Sequence, residues 1–174
     1  MITDGVIFLR APEPSDVDCL YLWENDSRSW NDGRVRAPMS RHILWQFVRD
    51  YNPDVLAAGQ GRFMICLEQA GGVAAGMIDL YDVDALNRRA GIGIYIGAEF
   101  RKQGLAARAL ELLAGYSAKE LGLHQLWAVA GVRNTASGSL FERCGFKVSG
   151  RLKSWIRVGE SYGDAFVFQR LLVD

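Results

Sequence analysis

The sequence predicts an α/β fold on a central sheet with some parallel pairing, and three observations predict it. Glycine and isoleucine alternate strictly in "GIGIYIG" (91–97), which is the period of a strand. A long helical stripe follows at once, then another strand and another helix, so strand–helix–strand–helix units fill the middle of the chain. A hairpin signal, two apolar runs around a glycine-bearing turn, precedes them at 63–81.

The elements follow in order. "VIFLR" (6–10) reads as a first strand, broken by "APEPSD". Ser15 can cap a helix with Asp16 and Asp18 in its first turn, and Val17, Leu20, Tyr21 and Trp23 give it a helical stripe. Residues 25–38 read as a loop. Ser40 is a second N-cap, and Ile43, Leu44, Phe47 and Val48 form the next stripe, ended by "YNPD" (51–54). Strands are expected at 63–68 and 73–81, then a polar loop, "DVDALNRR" (82–89). The alternating strand puts Ile92, Ile94 and Ile96 on one face. Tyr95 shares the other with Gly91, Gly93 and Gly97, where missing side chains leave room for something close to the backbone. A helix at about 105–121 buries Leu105, Ala109, Leu112, Leu113 and Tyr116, and Gly122 stops it. A strand at 124–131 and a short helix at 134–144 follow, with Leu140, Phe141 and Cys144 inward. Two strands, 146–158 and 162–172, close the order β–α–α–β–β–β–α–β–α–β–β.

Composition narrows the function. A length of 174 residues predicts one domain, 1–174, and 49% hydrophobic with 23% charged residues is ordinary for a globular core. Twenty basic residues balance 20 acidic ones, which argues against nucleic acid or anionic membrane as the main partner. No apolar run reaches the length of a membrane span. Cys19, Cys66 and Cys144 are odd in number and widely spaced, so neither a disulfide framework nor a metal site is expected, and a reducing cytoplasmic setting fits. Charge is nonetheless uneven. Residues 11–32 carry six acids, Glu13, Asp16, Asp18, Glu24, Asp26 and Asp32, against Arg28, while 147–157 carry Lys147, Arg151, Lys153 and Arg157 with no acid. These are solvated faces or regions that meet a cation and an anion.

Several chemistries are excluded by spacing. The glycines of "GIGIYIG" lie inside a strand, not between strand and helix, so they are not a dinucleotide fingerprint. There is no G-K-[ST] and no H-E-x-x-H. What remains is "EFRKQGLAARAL" (99–110): Arg101, Lys102 and Gln103, then Gly104, then a strong helix former. A helix N-terminus has unpartnered N–H groups and a partial positive charge, so adding cations there makes sense when an anion is expected.

Arg101-Lys102-Gln103-Gly104-Leu105-Ala106 resembles the R/Q-x-x-G-x-G/A loop of the Gcn5-related N-acetyltransferase (GNAT) family. Asn134, Ser137 and "LFERCGF" (140–146) resemble that family's N-x-x-S-x-x-L-Y-E-K-x-G-F stretch. The opening "LRAPEPSDVDCLYLWEND" and the closing "GRLKSWIRVGESYGDAFVFQRLL" resemble the branch containing spermidine/diamine N-acetyltransferases and ribosomal-protein N-terminal acetyltransferases. The likeness runs over about residues 6–172.

The resemblance implies a mixed central sheet with helices on both faces, acetyl-CoA as cosubstrate and no metal. It implies that Arg101, Lys102 and the N–H groups of Gln103, Gly104, Leu105 and Ala106 hold the pyrophosphate. Pantetheine would lie where the strand at 91–97 splays from its neighbour, with Ile94, Ile96, Asn134, Ser137 and Phe141 among its contacts. Asp79 corresponds to a strand carboxylate near the acceptor and is expected as base or anchor; Glu24 is a second acceptor contact. An alkylamine has a pKa of about 10.4, so removing its proton at pH 7 costs roughly 4–5 kcal/mol and a carboxylate acting directly or through water is useful. Many members have Tyr as general acid where this chain has Phe141. That leaves no dedicated acid, a replacement such as Tyr162, or another chemistry. The expected reaction is acetyl transfer to a primary amine, foremost a polyamine such as spermidine. A protein N-terminus is the alternative acceptor, and a CoA-binding domain without turnover the alternative role. Trp30, Trp45 and Trp155 are candidates for an interface between copies of the chain.

Overall fold

Eight strands join in one sheet, and a single register among them creates the cleft described below. The structure is a computed structural model and describes residues 1–26 and 37–172. Trp30, Arg28 and Asp32 lie outside the described residues. In chain order the elements are β1 (Ile2–Thr3), β2 (Ile7–Arg10), α1 (Val17–Glu24), α2 (Arg41–Arg49), α3 (Val55–Ala58), β3 (Gly61–Leu67), β4 (Ala74–Asp84) and β5 (Arg89–Ile96). Then come α4 (Leu105–Lys119), β6 (Gln125–Gly131), α5 (Thr135–Arg143), β7 (Lys147–Val158) and β8 (Ser161–Leu171). The sheet order is β1-β2-β3-β4-β5-β6-β8-β7. Neighbours are antiparallel except β5 and β6, which run parallel.

Two apolar clusters sandwich the sheet. On one face Ile92 and Phe168 pack with Leu105, Leu110 and Leu113 of α4 and Phe141 of α5. On the other, Met64, Met77 and Tyr95 pack with Leu20 and Trp23 of α1 and Leu44 and Val48 of α2. The alternation in β5 sends Ile92 to the first cluster and Tyr95 to the second. Helices therefore cover both faces, as expected.

Three local expectations change. β1 is an added edge pair on β2. The "YNPD" segment does more than end α2, because Asp54 accepts from the Ala57 N–H at 3.0 Å and starts the four-residue α3. Half of the polar segment 82–89 is strand: β4 runs on to Asp84, which faces Arg89 across a turn fixed by the Asn87 N–H on Asp84 at 2.9 Å. Polar side chains on an extended hairpin tip do not alternate in hydropathy, so the period gave no sign of it.

Candidate acyl-transfer cleft

β5 and β6 pair only at Arg89–Gln125, Ala90–Leu126 and Gly91–Trp127. Beyond Gly91 the two strands separate, yet β5 continues to Ile96 and β6 to Gly131. One backbone edge of β5 therefore faces a slot instead of a neighbour. The slot holds about 380 Å³ and is walled by Ile92–Tyr95 on one side and Val129–Gly131 on the other. Asn134, Ser137 and Phe141 line it from α5, and Trp155 and Ile156 from β7.

The slot continues into a second space of about 520 Å³ over the start of α4, with Ile94, Tyr95, Asn134 and Ser137 common to both. Ile96, Arg101, Lys102, Gly104, Leu105 and Ala106 line this part. Gly104 is the N-cap of α4 with φ of 78°, in the left-handed region that favours glycine, and it gives no side-chain cap. The first-turn N–H groups of α4 have no intrahelical partner, and Leu105, Ala106 and Ala107, which carry them, line this space. A Cβ on Gly104 would meet nothing within 4 Å, so the glycine borders open space and is not required by packing. Lys102, with φ of 63°, adds a second left-handed turn. Arg101 is anchored: its Nε donates to the Ile96 carbonyl at 3.0 Å and its guanidinium sits 5.6 Å from the Tyr95 ring centre. Gln103 Nε2 donates to the Glu99 carbonyl at 3.2 Å, so its side chain supports the turn. Arg143, from the last turn of α5, adds a third cation that the sequence reading missed. The signal for it was local, a cation three residues past Leu140 in "LFERCGF".

Asn134 Oδ1 accepts from the Ser137 N–H at 3.1 Å and caps α5 beside the slot. Phe141 is 4% exposed and packs on Phe146 and Phe168, with ring centres 5.3 and 5.4 Å away. It is both core and slot wall. Phe141→Tyr should leave folding and acetyl-CoA affinity nearly unchanged if the added hydroxyl faces the slot. An enzyme without a general acid should then gain turnover, on the order of a hundredfold for a well-placed donor. Loss of acetyl-CoA binding in calorimetry would mean that the hydroxyl enters the core.

The glycine face of β5 corrects one expectation. A Cβ on Gly91 would fall 2.3 Å from the Tyr81 ring, so that room is filled by Tyr81, which stands edge-on to Trp127 at 5.1 Å. Sequence reasoning did not single out Tyr81, which lines the slot and also a separate cavity of about 320 Å³ under α2.

Asp79 lines that second cavity, but it is not a lone carboxylate. Arg62, directly opposite on β3, donates to both of its oxygens at 2.9 and 2.8 Å. A third Arg62 nitrogen donates to Glu24 Oε1 at 2.6 Å. All three side chains are at most 20% exposed. Burial works against the charge on Arg62, but Asp79 and Glu24 outweigh it and hold the guanidinium above its ordinary range. The two nominated acceptor contacts thus share the Arg62 guanidinium.

Tyr162 is placed elsewhere. It is 63% exposed on the β7–β8 hairpin opposite Arg157, and it is not among the described residues lining the slot. Trp155 lines the slot and is 60% exposed, and Trp45 is exposed on α2 beneath the Arg49 guanidinium. Burial pushes the thiols of Cys19, Cys66 and Cys144 up, that of Cys19 to about 11, which disfavours thiolate chemistry. Among the described residues no cluster of His, Cys, Asp and Glu is arranged to hold a metal, and no helix is long and apolar enough to cross a membrane.

A family model for the acetyltransferase (GNAT) domain matches residues 7–147. The chain is 27% identical to spermidine N(1)-acetyltransferase of Escherichia coli (strain K12) over 160 residues, 90% of this chain and 81% of that protein. It is 33% identical to YdaF of Bacillus subtilis (strain 168), a ribosomal N-acetyltransferase-like protein, over 100 residues. That match spans 58% of this chain and only 55% of YdaF. In fold, the chain is similar to the crystal structure of spermidine N-acetyltransferase from Vibrio cholerae in complex with CoA and spermine. The TM-score is 0.86 at 23% identity, covering 97% of each chain.

Proposed function

The chain belongs to the GNAT acetyltransferase family, and from that premise we propose that it transfers the acetyl group of acetyl-CoA to a primary amine of a polyamine such as spermidine. Membership makes it an acyl-CoA-dependent N-acetyltransferase with acetyl-CoA as cosubstrate. The observation that carries the reading is continuity: the unpaired edge of β5 runs directly into the bare N-terminus of α4. An extended amide-bearing arm can pair with that edge as an added strand, and a pyrophosphate can take the α4 N–H groups. The residues present fit such a ligand, because Gly104 leaves open space and Arg101, Lys102 and Arg143 surround it. Bound acetyl-CoA supplies an electrophilic thioester carbonyl. Backbone N–H groups of β5 facing the slot would polarise it, and Asn134 would hold the arm from α5.

The acceptor enters from the α1–α2 face. There the Asp79 carboxylate lines the cavity beside Tyr81, which borders the slot. That carboxylate attracts an ammonium group. Because Arg62 occupies both oxygens of Asp79, Asp79 acts first as an electrostatic anchor, and proton removal reaches it through water. The identity to a spermidine N(1)-acetyltransferase over most of the chain supports a polyamine. The YdaF match favours a second acceptor, a protein N-terminus. We place the protein in the cytoplasm, as one acetyltransferase domain, on its three unpaired cysteines and its length.

Release of free thiol from acetyl-CoA against a panel of amines tests the reading. Saturable release with spermidine is expected. No release with any amine would leave only a CoA-binding role, the outcome that Phe141 in place of Tyr keeps open.

A further inference from the structure

β7 is interrupted where it passes the slot. Leu152 pairs with Ala165 and Ile156 with Gly163, so Lys153, Ser154 and Trp155 stand opposite Asp164 alone. Ser154 takes φ of 49°, a left-handed conformation that is uncommon outside glycine. Bulges of this kind re-aim side chains next to functional sites. Here the bulge sends Trp155 and Ile156 onto the slot wall, close enough that a Cβ on Gly131 would lie 3.2 Å from Ile156 Cδ1.

One side chain holds the bulge. Asp164 Oδ1 accepts from the Ser154 N–H at 2.8 Å. Its Oδ2 accepts from Arg151 Nε at 2.7 Å and lies 3.2 Å from Lys153 Nζ. Its backbone carbonyl accepts from the Val132 N–H at 3.0 Å, in the turn that leads to Asn134. We infer that Asp164 is a positioning residue for the acyl slot: it sets the β7 bulge that presents Trp155 and Ile156 to the slot and ties that hairpin to the loop carrying Asn134. The inference rests on the slot being the acetyl-CoA site. The Ser154 N–H, then Lys153 and Arg151, hold the Asp164 carboxyl down to about 2. The clamp is therefore charged at any neutral assay pH. Its contribution is complete above the ordinary value of 3.8 and is lost only as pH falls through about 2. The hairpin stays paired on either side of the bulge, so removing the side chain loosens the wall and not the fold.

The test compares the parent with Asp164→Ala, Trp155→Ala and the double variant. In Asp164→Ala the KM for acetyl-CoA should rise about tenfold or more, because a slot wall that must be ordered on binding costs affinity. Acetyl-CoA affinity, read by calorimetry, should fall in parallel. Trp155→Ala should reproduce the KM change, and the double variant should be no worse than either. A lower kcat with unchanged KM, or additive effects in the double variant, would overturn the inference. If Asp164→Ala does not melt cooperatively, Asp164→Asn replaces it. That variant can keep the Ser154 bond without the charge, and a smaller KM rise is required of it. Trp155 emission, taken as the difference from Trp155→Phe, gives a readout without turnover. Acetyl-CoA should shift it in the parent and not in Asp164→Ala. If no amine is acetylated but that contrast holds, acetyl transfer fails and the Asp164 assignment stands. If the contrast is absent, the assignment fails whatever the activity.

Discussion

Gly104→Glu is expected to abolish measurable acetyl-CoA binding. Two effects add. A side chain at φ of 78° costs about 1–2 kcal/mol of backbone strain. More important, the new carboxylate enters the open space over the α4 N-terminus. Two like charges about 4 Å apart near a protein surface repel by roughly 4 kcal/mol, which is close to a thousandfold in affinity. Gly104→Ala separates the two: it bears the strain without the charge, and a Cβ there meets nothing within 4 Å, so most of its affinity should remain. Calorimetry on folded protein reads both. Unchanged affinity in Gly104→Glu would remove residues 101–106 from the site.

Asp79→Asn is expected to separate the two substrates. Acetyl-CoA affinity should hold, because Asp79 lies in the cavity under α2 and not along the slot. The cavity would lose the Asp79 negative charge, so a cationic amine should bind about tenfold or more weakly and transfer should slow. Arg62 keeps Glu24 at 2.6 Å, so the stability cost should stay well below the roughly 3–5 kcal/mol of an orphaned buried charge. Wild-type transfer by Asp79→Asn across pH 6–9 would show that Asp79 is neither anchor nor base.

The contrast between these positions shows what the sequence could reveal. The α4 cradle is written locally: Arg101 to Ala106 are consecutive, and the helix start that gives them meaning follows at once. Asn134 and Ser137 are legible for the same reason, since a cap and its N3 partner are fixed by helix geometry. The splay needed a family likeness, because nothing in either strand says that pairing stops at Gly91. The Arg62 pairing was illegible, since it joins β3, β4 and α1 through a register that no single segment encodes. Tyr81 in the space of Gly91 is a cross-strand contact of the same kind. Tyr162 was chosen for its chemistry alone, and the hairpin carries it away from the slot. That Trp155 borders the slot while staying 60% exposed was illegible, since the β7 bulge around it is bonded to Asp164, nine residues on, in the next strand.

The central claim is acetyl transfer to a polyamine, and a competition measures it most directly. Spermidine and a peptide with a free N-terminus are offered together, at equal concentration, with acetyl-CoA, and the acetylated products are weighed by mass spectrometry. The account predicts that N-acetylspermidine forms in large excess and that the excess narrows in Asp79→Asn, where the anchoring charge is gone. Preferential acetylation of the peptide N-terminus by the parent protein would contradict it.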